Sequence, residues 1–528
     1  MKYIIIFLLL ISGATQSFSQ PKSVRKLPHP LNQPSLNTYA PYISFDGNAL
    51  IFLNDYTDDG NLALNYSKRV GADWSAPVIL PPTYSNMLTF VRGFTLSPDG
   101  QTLYLTSQLS NGIGAFDIYS CALKGSTFSA PVNIGLPVNS RLNDASPSIT
   151  ADGQTMYFMR CETMNSKQAD RCKIMISKKQ PGGRWSEATE LPAIINTGNS
   201  QTPRIMADGE TMIFASNLLQ PNKGGMDLYQ TRFINNEWTK PVPLTFVNTA
   251  EDDQFVSVTG QGQYLLRDTK GERRNELTEY LFPADLKPRG VLRIDGRVND
   301  PTIPVYVLVN DLNKDKLVYN ARPDKDGTFT TFLVEGSIYE LAIEPENGSV
   351  LYDSKLFDIT EGFPRPFERY TATVKQAAEN DEVSLNSISF ETNTSSIEKT
   401  AAFTNEFRRF SRLLKSNPGM VAEIQIELHG YVEDSIQSSP DLTEMRIDSV
   451  EYYFDEIDSL GQLSTHDTIM AEYTYHNDRT VKQAEAIVEQ LVALGCSRDG
   501  IAYVTAVKPE AILENRKLLV KAVLRRRQ

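Results

Sequence analysis

Short stretches of alternating apolar and polar residues, separated by Gly, Pro and Asp, fill the first half of the chain. In the clearest stretch, residues 94–97 predict a strand, Pro98-Asp99-Gly100 a tight turn, and residues 103–105 a second strand. Two more strands are predicted around Ile118 and Val132 before the pattern starts again. Four strands in each repeat of such a pattern are typical of one blade of a β-propeller.

The turn phrase occurs five times at a nearly constant interval. Its third residue is Asp46, Asp99, Asp152, Asp208 and finally Gln261, at intervals of 53, 53, 56 and 53 residues. A fixed period near 50 residues is typical of propellers and other repeat arrays. We interpret the four aspartates as structural residues of the turns, in which the following glycine takes a positive φ.

The fifth repeat shows three strands and no fourth before Pro288, whereas residues 24–28 match the missing strand. The sequence therefore predicts an all-β propeller of about five blades, with six as the alternative. The N-terminal strand is expected to close the ring, because closure removes the exposed edges of the sheets. Trp74, Trp185 and Trp238 occupy one position of the repeat and are predicted to pack between blades.

The start of the chain and its charge restrict compartment and partners. Met1-Lys2 precedes an apolar run too short to span a bilayer, so residues 1–19 are interpreted as a secretory signal peptide. The 528 residues carry a formal net charge of −12, which argues against nucleic acid as a partner. We expect an exported protein of the periplasm, associated with the outer membrane or peptidoglycan, and not an integral membrane protein.

Export permits disulfide bonds, and the chain has four cysteines. Cys161 and Cys172 lie at the two ends of one predicted strand-to-strand connection, and they are the candidate pair; two reduced thiols are the alternative. No histidine lies near any cysteine in the sequence. We therefore expect no metal site, and nothing in the sequence points to a cofactor.

The repeats resemble the PD40-type, WD40-related repeats of TolB propellers. The resemblance rests on the phrases at 96–104 and 149–158 and covers residues 38–282, within a propeller domain placed at 20–284. Similar propellers precede the hydrolase of prolyl oligopeptidase-like enzymes, but no Gly-x-Ser-x-Gly motif follows here. The next segment, 288–375, resembles the transthyretin-like, carboxypeptidase-regulatory β-sandwich, which is usually a spacer or an interaction module.

Helical spacing of apolar residues begins only in the last part of the chain. Phe403, Phe407, Phe410 and Leu414 recur at such spacing, as do apolar residues between 481 and 494, with alternating strands around them. This α+β order over residues 383–528, with the phrases at 388–393 and 426–430, resembles the OmpA-like peptidoglycan-associated domain. An acidic insertion near 435–472 is interpreted as a solvated, partly helical excursion, with cation binding as the alternative.

In the OmpA-like family an aspartate and an arginine hold the diaminopimelate of peptidoglycan through its ammonium and its carboxylate. The resemblance places Glu433, or Asp434 after a shift of one residue, at the acidic position and Gln483 at the basic position. Arg516 belongs to a further matching phrase. These four residues are the candidate peptidoglycan-binding site, and a domain that keeps the fold to dock a protein partner is the alternative.

No catalytic constellation occurs in the sequence, so we predict no catalytic residues and no enzyme. The first interpretation is a non-enzymatic, exported cell-envelope scaffold whose propeller binds envelope proteins. The order of domains resembles the periplasmic wall-associated component of the type IX secretion machinery. The alternatives are an enzyme that uses the propeller channel and a carbohydrate-binding module.

Overall fold

The structure is a computed structural model, and it describes residues 23–55, 62–80, 93–124, 127–165, 168–363, 365–391, 394–429, 444–457, 459–476, 478–508 and 518–527. Over these residues the fold is mostly β, with two α-helices, α1 (Ala401–Ser416) and α2 (Asp478–Ala493). The chain forms two compact units. The first unit consists of the chain up to Arg293 together with Phe332–Glu335 and Gly362–Phe367. The second unit contains the remaining residues.

Each of the five repeats forms one antiparallel sheet. The strands are β1 (Val24–Lys26), β2 (Thr38–Ile43), β3 (Ala49–Asn54), β4 (Ala63–Val70), β5 (Asp73–Trp74), β6 (Val78–Ile79), β7 (Phe94–Leu96), β8 (Thr102–Ser107), β9 (Asp117–Lys124), β10 (Thr127–Phe128), β11 (Val132–Asn133), β12 (Asn143–Ile149), β13 (Thr155–Met164), β14 (Ala169–Lys178), β15 (Thr189–Glu190), β16 (Ser200–Ile205), β17 (Thr211–Ser216), β18 (Asp227–Ile234), β19 (Glu237–Trp238), β20 (Val242–Pro243), β21 (Val256–Val258), β22 (Tyr264–Lys270) and β23 (Asn275–Leu281).

In the first four sheets the strands lie in chain order, from β2 to β5, β7 to β10, β12 to β15 and β16 to β19. The fifth sheet has the order β1-β23-β22-β21, in which Val24 pairs with Tyr280. The N-terminal strand therefore completes the sheet of the last repeat. The first strands of neighbouring sheets contact one another: β2 contacts β21, and β12 contacts both β7 and β16. These innermost strands line a channel.

The repeated turns are built from hydrogen bonds to the aspartate side chains. Asp46 Oδ1 accepts from Ser44 Oγ at 2.6 Å and from the Asn48 N–H at 3.0 Å, and Gly47 has a φ of 72°. Asp99 and Asp152 accept equivalent bonds within their own turns. The carboxylates thus hold the tight turn that joins the first two strands of a sheet.

Four of the sheets are fastened by what we call an asparagine clamp, an amide that bonds both backbone groups of one residue in a third strand and is buried in three of the four sheets. Asn139 Oδ1 accepts from the Ile118 N–H at 2.9 Å, and its Nδ2 donates to the Ile118 carbonyl at 2.8 Å. Asparagine is suited to this role because its side chain carries a donor and an acceptor side by side. The same pair of bonds joins Asn196 to Ile174, Asn248 to Leu228 and Asn32 to Leu277.

The middle segment contains two further sheets. Their strands are β24 (Val291–Val298), β25 (Val305–Asp311), β26 (Lys316–Ala321), β27 (Thr328–Val334), β28 (Ile338–Pro345), β29 (Asp353–Asp358) and β30 (Phe367–Ala372). One sheet has the order β27-β24-β30 and the other the order β26-β25-β28-β29. Alternate residues of β25, among them Val305, Val307 and Val309, are buried, as expected for a strand with one face toward a core.

The C-terminal segment contains a four-stranded sheet, a two-stranded hairpin and two helices. Its strands are β31 (Glu382–Ser384), β32 (Met420–His429), β33 (Glu444–Ile457), β34 (Leu463–His476), β35 (Ile501–Lys508) and β36 (Leu518–Arg526). The sheet has the order β31-β36-β32-β35, with β32 parallel to β35. Thr400 caps α1 through its side chain, and Phe403, Phe407 and Phe410 are buried as their spacing predicts.

Ion pairs join α1 to the strand β28 of the middle segment. The guanidinium of Arg409 pairs with the carboxylate of Glu340, and both side chains are almost fully buried. The neighbouring Arg408 pairs with Glu344, four residues further along β28. Removing either partner of the buried pair would leave an uncompensated charge, so this contact fixes where the helix lies on the strand.

The acidic insertion differs from its predicted form. Where the sequence pattern suggested a partly helical excursion, β33 and β34 form a two-stranded antiparallel hairpin that pairs along its whole length, from Glu444 with His476 to Ile457 with Leu463. Tyr and Ile occur in both strands, Phe454 in β33 and three Thr residues in β34, and these residue types favour the extended backbone. Spaced acidic residues alone were therefore a poor indicator of helix.

We predict that Asn196→Ala lowers the free energy of unfolding of the propeller by about 2–4 kcal/mol, because two buried backbone groups of Ile174 lose their partners. Urea unfolding followed by tryptophan fluorescence measures this, since all three tryptophans lie in the propeller. The control is Gln180→Ala, which removes an exposed amide from the same sheet region. Equal midpoints for both variants would show that the clamp is dispensable.

Candidate functional site in the propeller channel

Five equivalent side chains face the channel, one from each innermost strand. Each stands four residues before the third residue of the turn phrase, and together they line a cavity of about 50 Å³. We call them the channel ring: Tyr42, Thr95, Ser148, Arg204 and Ser257. Four members carry a hydroxyl group and one carries a guanidinium.

Arg204 extends across the channel toward three other sheets. Its Nε donates to the carbonyl of Val256 at 3.1 Å, and its Nη2 donates to the carbonyl of Phe94 at 3.3 Å. The guanidinium lies 5.1 Å from the centroid of the Tyr42 ring, a cation–π contact. The remaining nitrogen, Nη1, is buried and has no hydrogen-bond partner.

The charge of Arg204 is uncompensated within the part of the chain that the structure describes. Burial lowers the pKa of Arg204, and Tyr42 is the neighbour whose charge opposes that shift; no carboxylate contributes. An arginine nevertheless stays protonated in proteins. A buried positive charge without a partner is costly, so the ring is an electrostatic site for an anion.

The hydroxyl groups of the ring add hydrogen-bonding capacity beside the guanidinium. Ser148 Oγ accepts from the N–H of Ile205 at 3.0 Å, which leaves its O–H free to point elsewhere. Ser257 Oγ accepts from the N–H of Ile43 at 2.8 Å and donates to the carbonyl of the same residue at 3.5 Å. Burial raises the pKa of the Tyr42 phenol, and its hydroxyl donates to the carbonyl of Leu96 at 3.3 Å. Of these three hydroxyls, that of Ser148 is the one left to join Arg204 Nη1 as a donor to an anion.

A groove of about 230 Å³ adjoins the channel between the first and second sheets. Tyr42, Phe45, Leu96 and Pro98 line both cavities. Away from the channel the groove is bounded by aromatic rings and by charged and amide side chains. They include Tyr66, Phe128, Lys68, Arg293, Asp46 and Asn48. Tyr66 and Phe128 meet edge to face at 6.4 Å, which gives the groove a fixed aromatic wall.

A larger cavity of about 470 Å³ lies beside the third and fourth sheets, but its cations already have partners. Arg160 Nε donates to Asp144 Oδ1 at 2.6 Å, and Lys173 Nζ donates to the carbonyl of Asn196 at 2.8 Å. Arg171 pairs with Glu162 at 2.7 Å. These satisfied groups contrast with Arg204, and they make the channel the stronger candidate.

The residues predicted from sequence lie elsewhere. Gln483 is fully buried on α2, where its Nε2 donates to the carbonyl of Thr394 at 3.4 Å and its Oε1 has no partner. Glu433, Asp434 and Arg516 lie outside the described residues. The structure therefore does not bring the four candidate peptidoglycan-binding residues together within its described part.

Asp46 and Asp99 border the groove, and both are held in their turns by the hydrogen bonds described above. Asp152 is held in the same way, whereas Asp208 accepts from the backbone and hydroxyl of Thr211. Cys161 and Cys172 form a buried disulfide of 2.05 Å between β13 and β14. These residues support the scaffold around the site.

Of the described helices, neither is long and apolar enough to span a bilayer. The described part of the chain also holds no group of three or more His, Cys, Asp or Glu side chains arranged to bind a metal ion.

The sequence analysis missed the channel ring because it compared the turns of the repeats and not the residues of their first strands. Aligning the repeats on the turn aspartate would have shown a hydroxylated residue in four of the five positions and Arg204 in the fifth. A charged residue at one innermost-strand position of a repeat is the signal that was available.

No model of a known protein family matches the chain, and no curated protein sequence matches it. Among solved structures, one described as TolB from Agrobacterium tumefaciens is 15% identical over 56% of this chain and 90% of its own, with a TM-score of 0.29. An oligogalacturonate lyase from Vibrio parahaemolyticus is 10% identical over 50% of this chain and 94% of its own, with a TM-score of 0.29. An arabinanase from Bacillus subtilis is 11% identical over 47% of this chain and 95% of its own, with a TM-score of 0.32.

Most of the solved structures to which the chain is similar are enzymes, among them a lyase, an arabinanase and a glycoside hydrolase. This finding contradicts the prediction of a non-enzymatic envelope scaffold and the prediction that the chain is not an enzyme.

We predict that Arg160→Met destabilises the propeller by about 3–5 kcal/mol at neutral pH, because Asp144 is then a buried carboxylate without its counter-charge. Burial already raises the pKa of Asp144 above the usual 3.8, with Arg160 opposing the shift. Loss of Arg160 raises it further, and the protonated acid needs no counter-charge. The deficit should therefore be small at acidic pH and grow as the pH rises through the folded-state pKa.

Thermal melts from pH 3.5 to pH 8 for wild type and variant measure this difference. Arg184→Met is the control, since Arg184 is an exposed arginine near the end of the same sheet. A deficit that is independent of pH would mean that Arg160 contributes packing and not charge.

Proposed function

We propose that the propeller is a carbohydrate-active module that binds acidic saccharides, with a uronate carboxylate on the channel ring and its sugar ring in the adjoining groove. The observation that carries the proposal is the buried Nη1 of Arg204, which has no hydrogen-bond partner and no compensating carboxylate among the described residues. Arg204 lines the channel cavity, which shares four lining residues with the adjoining groove.

A carboxylate is the anion that fits this site best. Guanidinium groups bind carboxylates through paired N–H donors, and these charge-assisted bonds are stronger than neutral ones. The cavity of about 50 Å³ accommodates one carboxylate group and not a sugar ring. The hydroxyl of Ser148 can donate to the second carboxylate oxygen.

A sugar ring is the body that fits the groove. Pyranose rings present apolar C–H faces and hydroxylated edges, so they need an aromatic surface flanked by polar groups. Tyr66 and Phe128 supply the surface, and Lys68, Asn48 and Asp46 supply polar groups. The volume of about 230 Å³ is in the range of one sugar residue, and ligand sites typically combine an apolar lining with a few polar anchors.

Export of the chain to an oxidising compartment such as the periplasm is part of the proposal. The disulfide between Cys161 and Cys172 supports it, because such bonds persist outside the reducing cytosol.

Titration calorimetry of the full chain with oligogalacturonate and with a neutral galactose oligosaccharide tests the proposal. We expect the acidic oligosaccharide to bind and Arg204→Met to weaken it at least tenfold, about 1.4 kcal/mol, because the carboxylate loses its charge-assisted partner. Arg184→Met, an exposed arginine, should leave the affinity unchanged. Equal affinity for neutral and acidic oligosaccharides, or no effect of Arg204→Met, would contradict the proposal.

The groove and the channel ring can be separated by a second variant. Tyr66→Ala removes part of the aromatic wall, so it should weaken oligogalacturonate severalfold while leaving the weak binding of acetate, a carboxylate without a sugar ring, unchanged. Arg204→Met should weaken both ligands. Tyr104→Ala, at an aromatic residue that lines neither cavity, is the control. Chromatography of the same mixtures after incubation shows whether bound oligosaccharides are cleaved.

A further inference from the structure

The hairpin of β33 and β34 has no neighbour in any sheet over the described residues. Each strand has 14 residues, and each pairs only with the other. A two-stranded hairpin is at best marginally stable in water, and its two outer edges carry unpaired backbone donors and acceptors. A hairpin of this length therefore needs a surface or strand that covers it.

Large apolar side chains are exposed on both faces of the hairpin. Tyr453, Ile457 and Ile469 share one face, and their exposed fractions are between 68% and 70%. Tyr452, Phe454 and Met470 share the other, with exposed fractions between 44% and 55%. Contiguous exposed apolar residues of this kind mark interaction sites in soluble proteins.

The negative charge of the hairpin indicates the charge of its partner. The two strands contain seven Asp and Glu residues and a single Arg. Acidic side chains lie beside the apolar ones on both faces: Glu451 and Asp455 flank Tyr453 on one face, and Glu456 follows Phe454 on the other. A second copy of the hairpin would bring like charges together, and the whole chain is acidic as well, with a net charge of −12. The occupant that fits is basic.

We propose that the hairpin is a docking arm that binds an extended, basic segment of another protein, with alternating apolar and Lys or Arg side chains. The segment adds a third strand to the outer edge of β33 or β34. Backbone hydrogen bonds hold it there, apolar side chains cover the exposed rings, and its cations meet the carboxylates. This function is independent of the saccharide site in the propeller.

The test measures fluorescence anisotropy of a labelled peptide of alternating Lys and Val residues with the full chain. We expect the Lys–Val peptide to bind, and this binding to weaken as the salt concentration rises. A Lys–Ser peptide and a Glu–Val peptide should not bind. The variant Tyr453→Thr/Phe454→Thr/Ile469→Thr/Met470→Thr should weaken binding at least tenfold, since Thr keeps strand propensity but removes apolar area. Leu317→Thr/Val318→Thr, on the exposed edge strand β26, is the matched control and should not change it.

A second variant distinguishes loss of the binding surface from misfolding of the first variant. Glu451→Lys/Asp455→Lys/Glu456→Lys keeps every apolar contact of the hairpin and should reverse the preference toward the Glu–Val peptide. The proposal is overturned if both variants bind the Lys–Val peptide as wild type does, or if wild type binds no peptide. It is overturned equally if sedimentation shows that the wild-type chain self-associates and the Thr variant does not, because the occupant is then a second copy.

Discussion

Closure of five sheets around one channel is the constraint on which the rest of the propeller depends. The innermost strand of the last sheet, β21, contacts that of the first, β2, and β1 completes the last sheet by pairing with β23 across a sequence separation of more than 250 residues. The asparagine clamps then fasten four of the sheets through equivalent third-strand residues. Because the same amide geometry recurs, the sheets present equivalent positions to the channel.

Because the five positions of the channel ring are equivalent, the one residue that differs in chemistry, Arg204, is informative. At the channel ring four sheets place a hydroxylated side chain, and only the fourth sheet places a charged one, Arg204. A repeat that needed only packing would have no reason to bury a guanidinium there, and desolvation makes such a charge costly unless an anion compensates it. The channel cavity that holds this charge adjoins a groove with an aromatic wall, and ligand sites typically combine such an apolar lining with a few polar groups.

The turns and the strand pattern could be predicted from sequence because their chemistry is local: the Asp-Gly phrases dictate a tight turn wherever they occur, and alternation dictates strands around them. The missing strand of the last repeat could be predicted too, since a gap in a repeat is visible in the sequence. Arg204 could not be identified as a site, because only the assembled ring shows that its charge lacks a carboxylate. The hairpin was misread because spaced acidic residues suit an exposed helix and an exposed strand alike.

Anomalous scattering from bromide in crystals of the protein would test the central claim most directly, since bromide is a monovalent anion that reports its own position. The account predicts a bromide peak inside the channel, within hydrogen-bonding distance of Arg204 Nη1 and beside the hydroxyl of Ser148. A channel that holds only water, or a guanidinium that pairs with a carboxylate of the chain itself, would contradict it.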